Sequence, residues 1–323
     1  MRPCLRALAP TPFVTIQDGE RRGWRRFGIT GAGAMDRTAF VLANSLVGNP
    51  PNEAVLEFGY AGGLFEVATA SCRVAVTGGA FPITVDGQPV PAYASTVLRR
   101  GQRLQVGAAS NAVWGYLAVA SGFDLPAQFG SRSTHLRSAI GGLAGRTVQA
   151  GDELPLRAER APDDPERWMT EPVRVDRRLR VVLGPQSDYF TDVALKTFLR
   201  ATYHVTRQSD RMGYRLDGPP LSHAGRYNII SDGVLPGCVQ VPGNGVPIVL
   251  LRDAPTTGGY PKIATMVESD IELLAQRRPG AAVRFVALSV EQAQWSREMS
   301  RLRLQALRRG IKERDLHVCR TSS

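Results

Sequence analysis

The stretch "TTGGYPK", residues 256–262, brings two hydroxyls, two glycine amides, a phenol and an ammonium within seven residues. Consecutive amides around Gly258 and Gly259 can form an anion-binding nest. Thr256, Thr257 and Tyr260 can hydrogen-bond a planar amide or a ureido ring, and Lys262 can offset developing negative charge. The plainer reading is a Gly-Gly turn beside a surface lysine. Lysine is scarce here, however: it stands only at 196, 262 and 312 in a chain with 40 Lys and Arg. Where arginine is the rule, a compact ammonium at Lys262 marks a position that needs one.

A second polar stretch, "SDRMGYR" (209–215), precedes it by some forty residues. Asp210 can accept a substrate N–H and Arg211 can anchor a carboxylate or a carboxyl-transfer group. The same Asp-Arg pair can equally pin a loop, and the residues alone leave both open. "FGSRSTHLRSAIGGLAGR" (129–146), rich in hydroxyls and glycine, reads more as a structural loop than as a second polar wall.

Several classes of chemistry find no support. "GAGAMD" (31–36) lacks the third glycine and the βαβ setting of a dinucleotide loop, and Asp36 would repel a phosphate. There is no Gly-Lys dipeptide for a P-loop and no nucleophile elbow. The cysteines (4, 72, 238, 319) and histidines (135, 204, 223, 317) are scattered without metal-ligand spacing. Free thiols in a reducing cytoplasm, and no bound metal, are therefore expected. The net charge of +11 comes from arginines in short clusters without stacked aromatics, which does not make a nucleic-acid surface. No apolar run approaches the ~20 residues of a membrane span, and Arg6, Pro10 and Pro12 interrupt any signal-peptide core.

Short β-branched runs punctuated by Gly and Pro dominate both halves and predict a mainly β protein with a few helices. "ITVDGQPV" predicts a hairpin turning at Asp86-Gly87. "MDRTAFVLANSLVGNP" predicts a helix capped by Asp36 and closed by Gly48, and "SDYFTDVALKTFLRA" one capped by Ser187 or Asp188. A short helix is expected near Ser269. A Ser-x-x-Gln capping box at Ser289 opens an Arg-rich helix of about 25 residues. The expected division is a first domain over 1–160, a linker over 161–178, a second domain over 179–288 carrying both polar stretches, and a helical tail over 289–323.

Six stretches in order resemble the 5-oxoprolinase C-subunit family, also described as KipA-like, allophanate hydrolase subunit 2 or biotin-dependent carboxyltransferase. They are "TIQD", "GAMDRTAFVLANSLVGNP", "GSRSTHLRSAIGGLAGR", "SDRMGYRLDGPP", "SDGVLPGCVQVPGNGVPIVLLRDAPTTGGYPKIATM" and "LAQRRPGAAVRF". After "TIQD" the family usually continues Leu-Gly-Arg-Pro-Gly, whereas this chain has "GERRG". The resemblance implies two cyclophilin-like β-barrel domains plus a C-terminal helix. It also implies ATP-dependent opening of the 5-oxo-L-proline lactam to L-glutamate with subunits A and B (the latter KipI-like), ATP being bound with or by those partners. On that reading Asp210, Lys262 and Tyr260 are catalytic, while Arg211, Asp253, Thr256, Thr257, Gly258 and Gly259 bind substrate. The chain is expected to be inactive alone. Two alternatives are a biotin-dependent carboxyltransferase acting on urea or a similar small amide, and a non-catalytic KipA-like regulator binding a KipI-like partner.

Overall fold

The computed structural model of the chain describes residues 2–173 and 177–314. They form a mainly β protein with four α-helices, in two compact units. The first unit gathers residues up to Arg21, Arg37–Pro172 and those from Leu304 onward; the second gathers Arg22–Asp36 and Val173–Arg303. Among the described residues no helix is long and apolar enough to cross a membrane.

The first unit holds two antiparallel sheets. One runs Glu153–Pro155, Cys4–Pro10, Gly63–Val67, Arg103–Val106, Ile83–Val85, Gln88–Val90; the other runs Thr15–Gln17, Val55–Gly59, Trp114–Val119, Ser71–Thr77, Ser95–Arg99. Both contribute to one apolar core, with Leu5, Phe65 and Leu104 from the first and Ile16, Phe58 and Leu117 from the second. The expected hairpin forms at Asp86 and Gly87, whose φ angles of 49° and 82° give the left-handed turn that such a loop needs. Helix α1 (Arg37–Leu46) ends as its glycine predicts. Gly48 takes φ 81°, its amide bonds Ser45 O, and the Asn49 amide bonds Asn44 O.

The second unit is one eight-stranded sheet in the order Ala282–Val283, Tyr203–Val205, Gly213–Asp217, Ile248–Leu250, Cys238–Gln240, Lys262–Met266, Leu179–Leu183, Phe285–Ala287. Its first and last strands are separated in sequence by Arg284 alone, so the sheet curls back on itself into a nearly closed barrel. Arg284 links the two ends: its carbonyl accepts from the Leu179 amide at 2.7 Å, and its Nε donates to Thr202 Oγ1 at 2.8 Å. Closure leaves no long free edge. Asp270 of helix α3 (Glu268–Ala275) is fully buried and receives Arg177, Arg180 Nη2 and the Arg180 amide at 2.6–2.8 Å. Burial pushes its carboxyl up, but the bonds from Arg180 and Arg177 outweigh this and hold it below the usual carboxylate range.

Three local expectations change. Helix α2 (Asp192–Arg200) is capped by Thr191, whose Oγ1 accepts from the Ala194 amide at 3.1 Å; Ser187 and Asp188 lie in a separate 3-10 turn, cut off by extended Phe190. Helix α4 (Val290–Arg309) has 20 residues rather than about 25. Its capping box is formed: Gln292 Oε1 accepts from the Ser289 amide at 2.9 Å and Ser289 Oγ from the Gln292 amide at 3.2 Å. The single cut between domains gives way to an exchange of segments. Residues 22–36 join the second unit because Arg25 bonds Val234 O and Pro255 O, Arg211 bonds Gly33 O, and Gln276 bonds Asp36. Residues 161–172 of the expected linker belong to the first unit, where Glu166–Trp168 pairs with Lys312–Arg314. Residues 174–176 of that linker, and His317 and Cys319, lie outside the described residues.

The loop at 129–146 is structural in the way its composition suggests. Asp18 accepts from Ser131 Oγ, Ser133 Oγ and the Arg132 amide, each at 2.6 Å, which ties the loop to "TIQD". In "GERRG", Arg21 stands where Leu-Gly-Arg-Pro-Gly also has arginine; it is buried and donates to Gln128 O and Ser133 O, a second clamp on the same loop.

Gly115, in the central strand of the five-stranded sheet, sits under the edge-on Phe58–Phe81 pair, whose centroids are 5.0 Å apart. A Cβ there would lie 2.3 Å from Phe58 Cε2 and 2.7 Å from Phe81 Cε2. Gly115→Ala should destabilise the protein by about 1–3 kcal/mol. Urea unfolding reads this directly; an unchanged midpoint would mean that the rings move aside freely.

Candidate functional site

The stretch 209–215 meets residues 250–253, which lead into "TTGGYPK", because the ladder between Gly213–Asp217 and Ile248–Leu250 continues beyond its strand ends. The Leu251 amide bonds Met212 O at 3.0 Å and the Asp253 amide bonds Arg211 O at 2.9 Å. Arg211 and Asp253 therefore stand side by side. Arg211 Nε donates to Asp253 Oδ2 and its Nη2 to Oδ1, each at 2.8 Å. Nη2 also reaches Gly33 O at 2.9 Å. Both residues are buried. A planar fork matched to a carboxylate suits arginine and not lysine. Breaking such a buried pair on one side costs about 3–5 kcal/mol.

Arg211 and Asp253 were expected to contact substrate; in this structure they satisfy one another. Asp210, expected to accept a substrate N–H, is exposed, and its Oδ1 accepts from the Met212 and Gly213 amides at 2.8 and 3.2 Å. This closes an Asx turn that holds the loop carrying Arg211. The contacts of Asp210 stay within its own loop.

The "TTGGYPK" stretch docks along residues 229–234. Val234 N bonds Thr256 O, Thr257–Gly258 pairs with Asp232–Gly233, and Ile229 N bonds Gly259 O. Neither Gly258 nor Gly259 adopts a left-handed backbone, so the expected nest of converging amides does not form. Glycine at 258 serves close approach instead. A Cβ would lie 2.5 Å from Gln240 Nε2, which donates to Tyr260 O at 3.2 Å. Thr257 and Tyr260 expose their side chains, and Thr256 is half-buried.

Lys262 is buried at the start of the strand Lys262–Met266. Its Nζ donates to Asp232 Oδ2 at 2.6 Å and to Gly233 O at 3.2 Å. Gln186 braces the pair: its Oε1 accepts from the Lys262 amide at 3.0 Å, and its Nε2 donates to Asp232 Oδ2 at 3.1 Å. An ammonium has three N–H donors, and these contacts use two. The Lys262 bond, then the Gly233 amide and Gln186, hold the Asp232 carboxyl below the usual carboxylate range.

Asp232, Gln186, Gln240, Arg25 and Gly33 were absent from the set expected from sequence. Gln240 carried a signal, as a polar residue within the apolar strand "CVQVP". Asp232 carried another, as the carboxylate of "SDG" within the same long motif as the rare lysine. Arg25 and Gly33 carried none, since nothing local predicts that 22–36 crosses to the second unit.

The model of the carboxyltransferase domain, subdomains A and B, matches residues 27–287. The chain belongs to this family. The match includes every residue of the site except Arg25. Among curated proteins, the chain is similar to the 5-oxoprolinase C subunit of Escherichia coli, 38% identical over 91% of this chain and 94% of that one. It is similar to the protein of the same name from Haemophilus influenzae, 38% identical over 94% and 97%. Among solved structures, the urea amidolyase of K. lactis superposes with a TM-score of 0.86 at 27% identity, covering 95% of this chain but 20% of that far longer one.

Because its folded-state value is depressed, Asp232 contributes stability that is present above the ordinary carboxylate value of about 3.9 and is lost as pH falls through the lower folded value. NMR titration of the Asp232 carboxyl should give a midpoint below about 3.9, and Lys262→Met should raise it. A midpoint that ignores the lysine would mean that the 2.6 Å bond does not govern this carboxylate.

Proposed function

We propose that this chain is the C subunit of an ATP-dependent 5-oxoprolinase, opening 5-oxo-L-proline to L-glutamate together with subunits A and B, and turning over nothing alone. The observation that carries the reading is similarity over nearly the full length of two 5-oxoprolinase C subunits. On this reading the enzyme is cytoplasmic and hetero-oligomeric.

The chemistry asks for a few well-placed groups. A five-membered lactam is a stable amide, and negative charge gathers on its oxygen as water adds to the carbonyl carbon and the C–N bond breaks. The third N–H of Lys262 is the proposed donor to that oxygen, with Asp232 and Gln186 fixing the ammonium. The Thr257 and Tyr260 hydroxyls, exposed on the same stretch, are proposed to bond the lactam, and Thr256 to hold the stretch in register. The second oxygen of Asp210 is proposed to accept the ring N–H. The Arg211–Asp253 pair is assigned a positioning role, since its fork is filled.

ATP is assigned to the A and B subunits. Two of this chain's glycine stretches are engaged within the fold. Thr257–Gly258 is paired as strand, and the Gly33 carbonyl takes a bond from Arg211.

The similarity to K. lactis urea amidolyase supports a second reading, carboxyl transfer from biotin to urea or a similar small amide. Co-expression with A and B subunits separates the two. The first reading expects 5-oxoproline-dependent ATP hydrolysis and glutamate release that vanish when this chain is omitted. Lys262→Met should lower turnover ~100-fold or more while the complex still assembles. Full activity without this chain, or in the Lys262→Met complex, would overturn that assignment. Turnover that requires a biotinylated protein would favour the second reading, and an intact complex with no turnover would favour a regulator.

A further inference from the structure

The first unit carries a cleft of about 600 Å³, formed by the end of α1, the strand Glu166–Trp168, the last turns of α4 and the strand Lys312–Arg314. Ser45, Gly48, Arg167, Arg308, Arg309 and Glu313 line it, with Ile311 as an apolar wall. The parts from Gln305 to Glu313 lie beyond residues 27–287 of the family match.

Each arginine is held differently. Arg167 donates from Nη2 to Asp164 Oδ2 at 2.9 Å, and its Nη1 lies 2.7 Å from where a Cβ on Gly48 would be, so the glycine admits the guanidinium. Arg308 Nε donates to Ser45 Oγ at 3.1 Å, and its two terminal nitrogens make no other bond among the described residues. Arg309 has no hydrogen-bond or ion-pair partner among them.

Carboxylates do not balance this charge. Asp164 is shared between Arg167 and buried Arg73, whose Nη1 lies 3.0 Å from Oδ1. Glu313 is 3.8 Å from Arg167 Nε. Buried Arg73 and the three lining arginines thus set four guanidinium groups against Asp164 and Glu313, an excess of two positive charges.

Arginines beside a helix C-terminus usually bond its last carbonyls. Here Gly48 N and Asn49 N already bond Ser45 O and Asn44 O, and Gly310 N bonds Ala306 O and Leu307 O. Arg308 goes to a hydroxyl instead of a carbonyl. Helix capping therefore does not account for Arg308 and Arg309.

We propose that this cleft binds a phosphate monoester, with the free nitrogens of Arg308 and Arg309 on the phosphate and the remainder of the molecule along Ile311 and the arginine stems. A dianion matches the excess charge, planar forks match phosphate oxygens, and the volume leaves room for more than the phosphate alone. The site is separate from the residues assigned to lactam opening and does not rest on that assignment.

Calorimetric titration of the full chain with inorganic phosphate and with glycerol 3-phosphate, at ionic strength matched with chloride, tests this. Both should bind where chloride does not, the ester more tightly, and Arg309→Gln or Arg308→Gln should weaken binding ~10-fold. Arg200→Gln, which removes the same charge from the second unit, should leave binding unchanged. Heat no greater than that of chloride, affinity unaltered in both cleft variants, or equal weakening by Arg200→Gln would overturn the proposal.

Discussion

The bidentate bond between Arg211 and Asp253 is the constraint around which the second unit's site is arranged. It joins two stretches some forty residues apart, and both are buried, so neither charge has water to fall back on. The same guanidinium takes the Gly33 carbonyl, which brings in a segment from the N-terminal part of the chain. Asp210 supports the pair from behind by closing the turn before Arg211. One fork thus fixes the relative positions of three pieces of backbone, one of which leads directly into "TTGGYPK".

Barrel closure provides the frame. Lys262 begins a strand flanked by Cys238–Gln240 and Leu179–Leu183, so its ammonium is delivered from a rigid ladder and not from a mobile loop. Asp232, on the short strand that pairs with Thr257–Gly258, meets it there. A half-exposed carboxylate against a buried ammonium keeps the lysine in one orientation while leaving one side of the pair open to solvent. That geometry suits the role proposed for the ammonium opposite a developing anion.

Periodicity and turn chemistry made much of the fold legible in advance: the Asp86-Gly87 hairpin, the Gly48 terminus of α1 and the Ser289 capping box are local features read from adjacent residues. The site was legible as residues but not as roles. Arg211 and Asp253 each look like substrate contacts when read alone, and only the ladder that sets them side by side makes them partners. The Gly258-Gly259 pair suggests a nest because glycine permits left-handed φ; strand pairing to 232–233 withholds it, and the need for glycine comes from Gln240. The exchange of residues 22–36 rests on bonds spanning up to 240 positions, which no local pattern encodes.

A double-mutant cycle on Arg211 and Asp253 measures the coupling between them, using denaturant unfolding of Arg211→Met, Asp253→Asn and the pair. Each single replacement leaves a buried group without its partner and should cost about 3–5 kcal/mol, while the double replacement should cost clearly less than the sum. Additive losses would mean that the two residues stabilise the fold independently and that the fork does not organise the site.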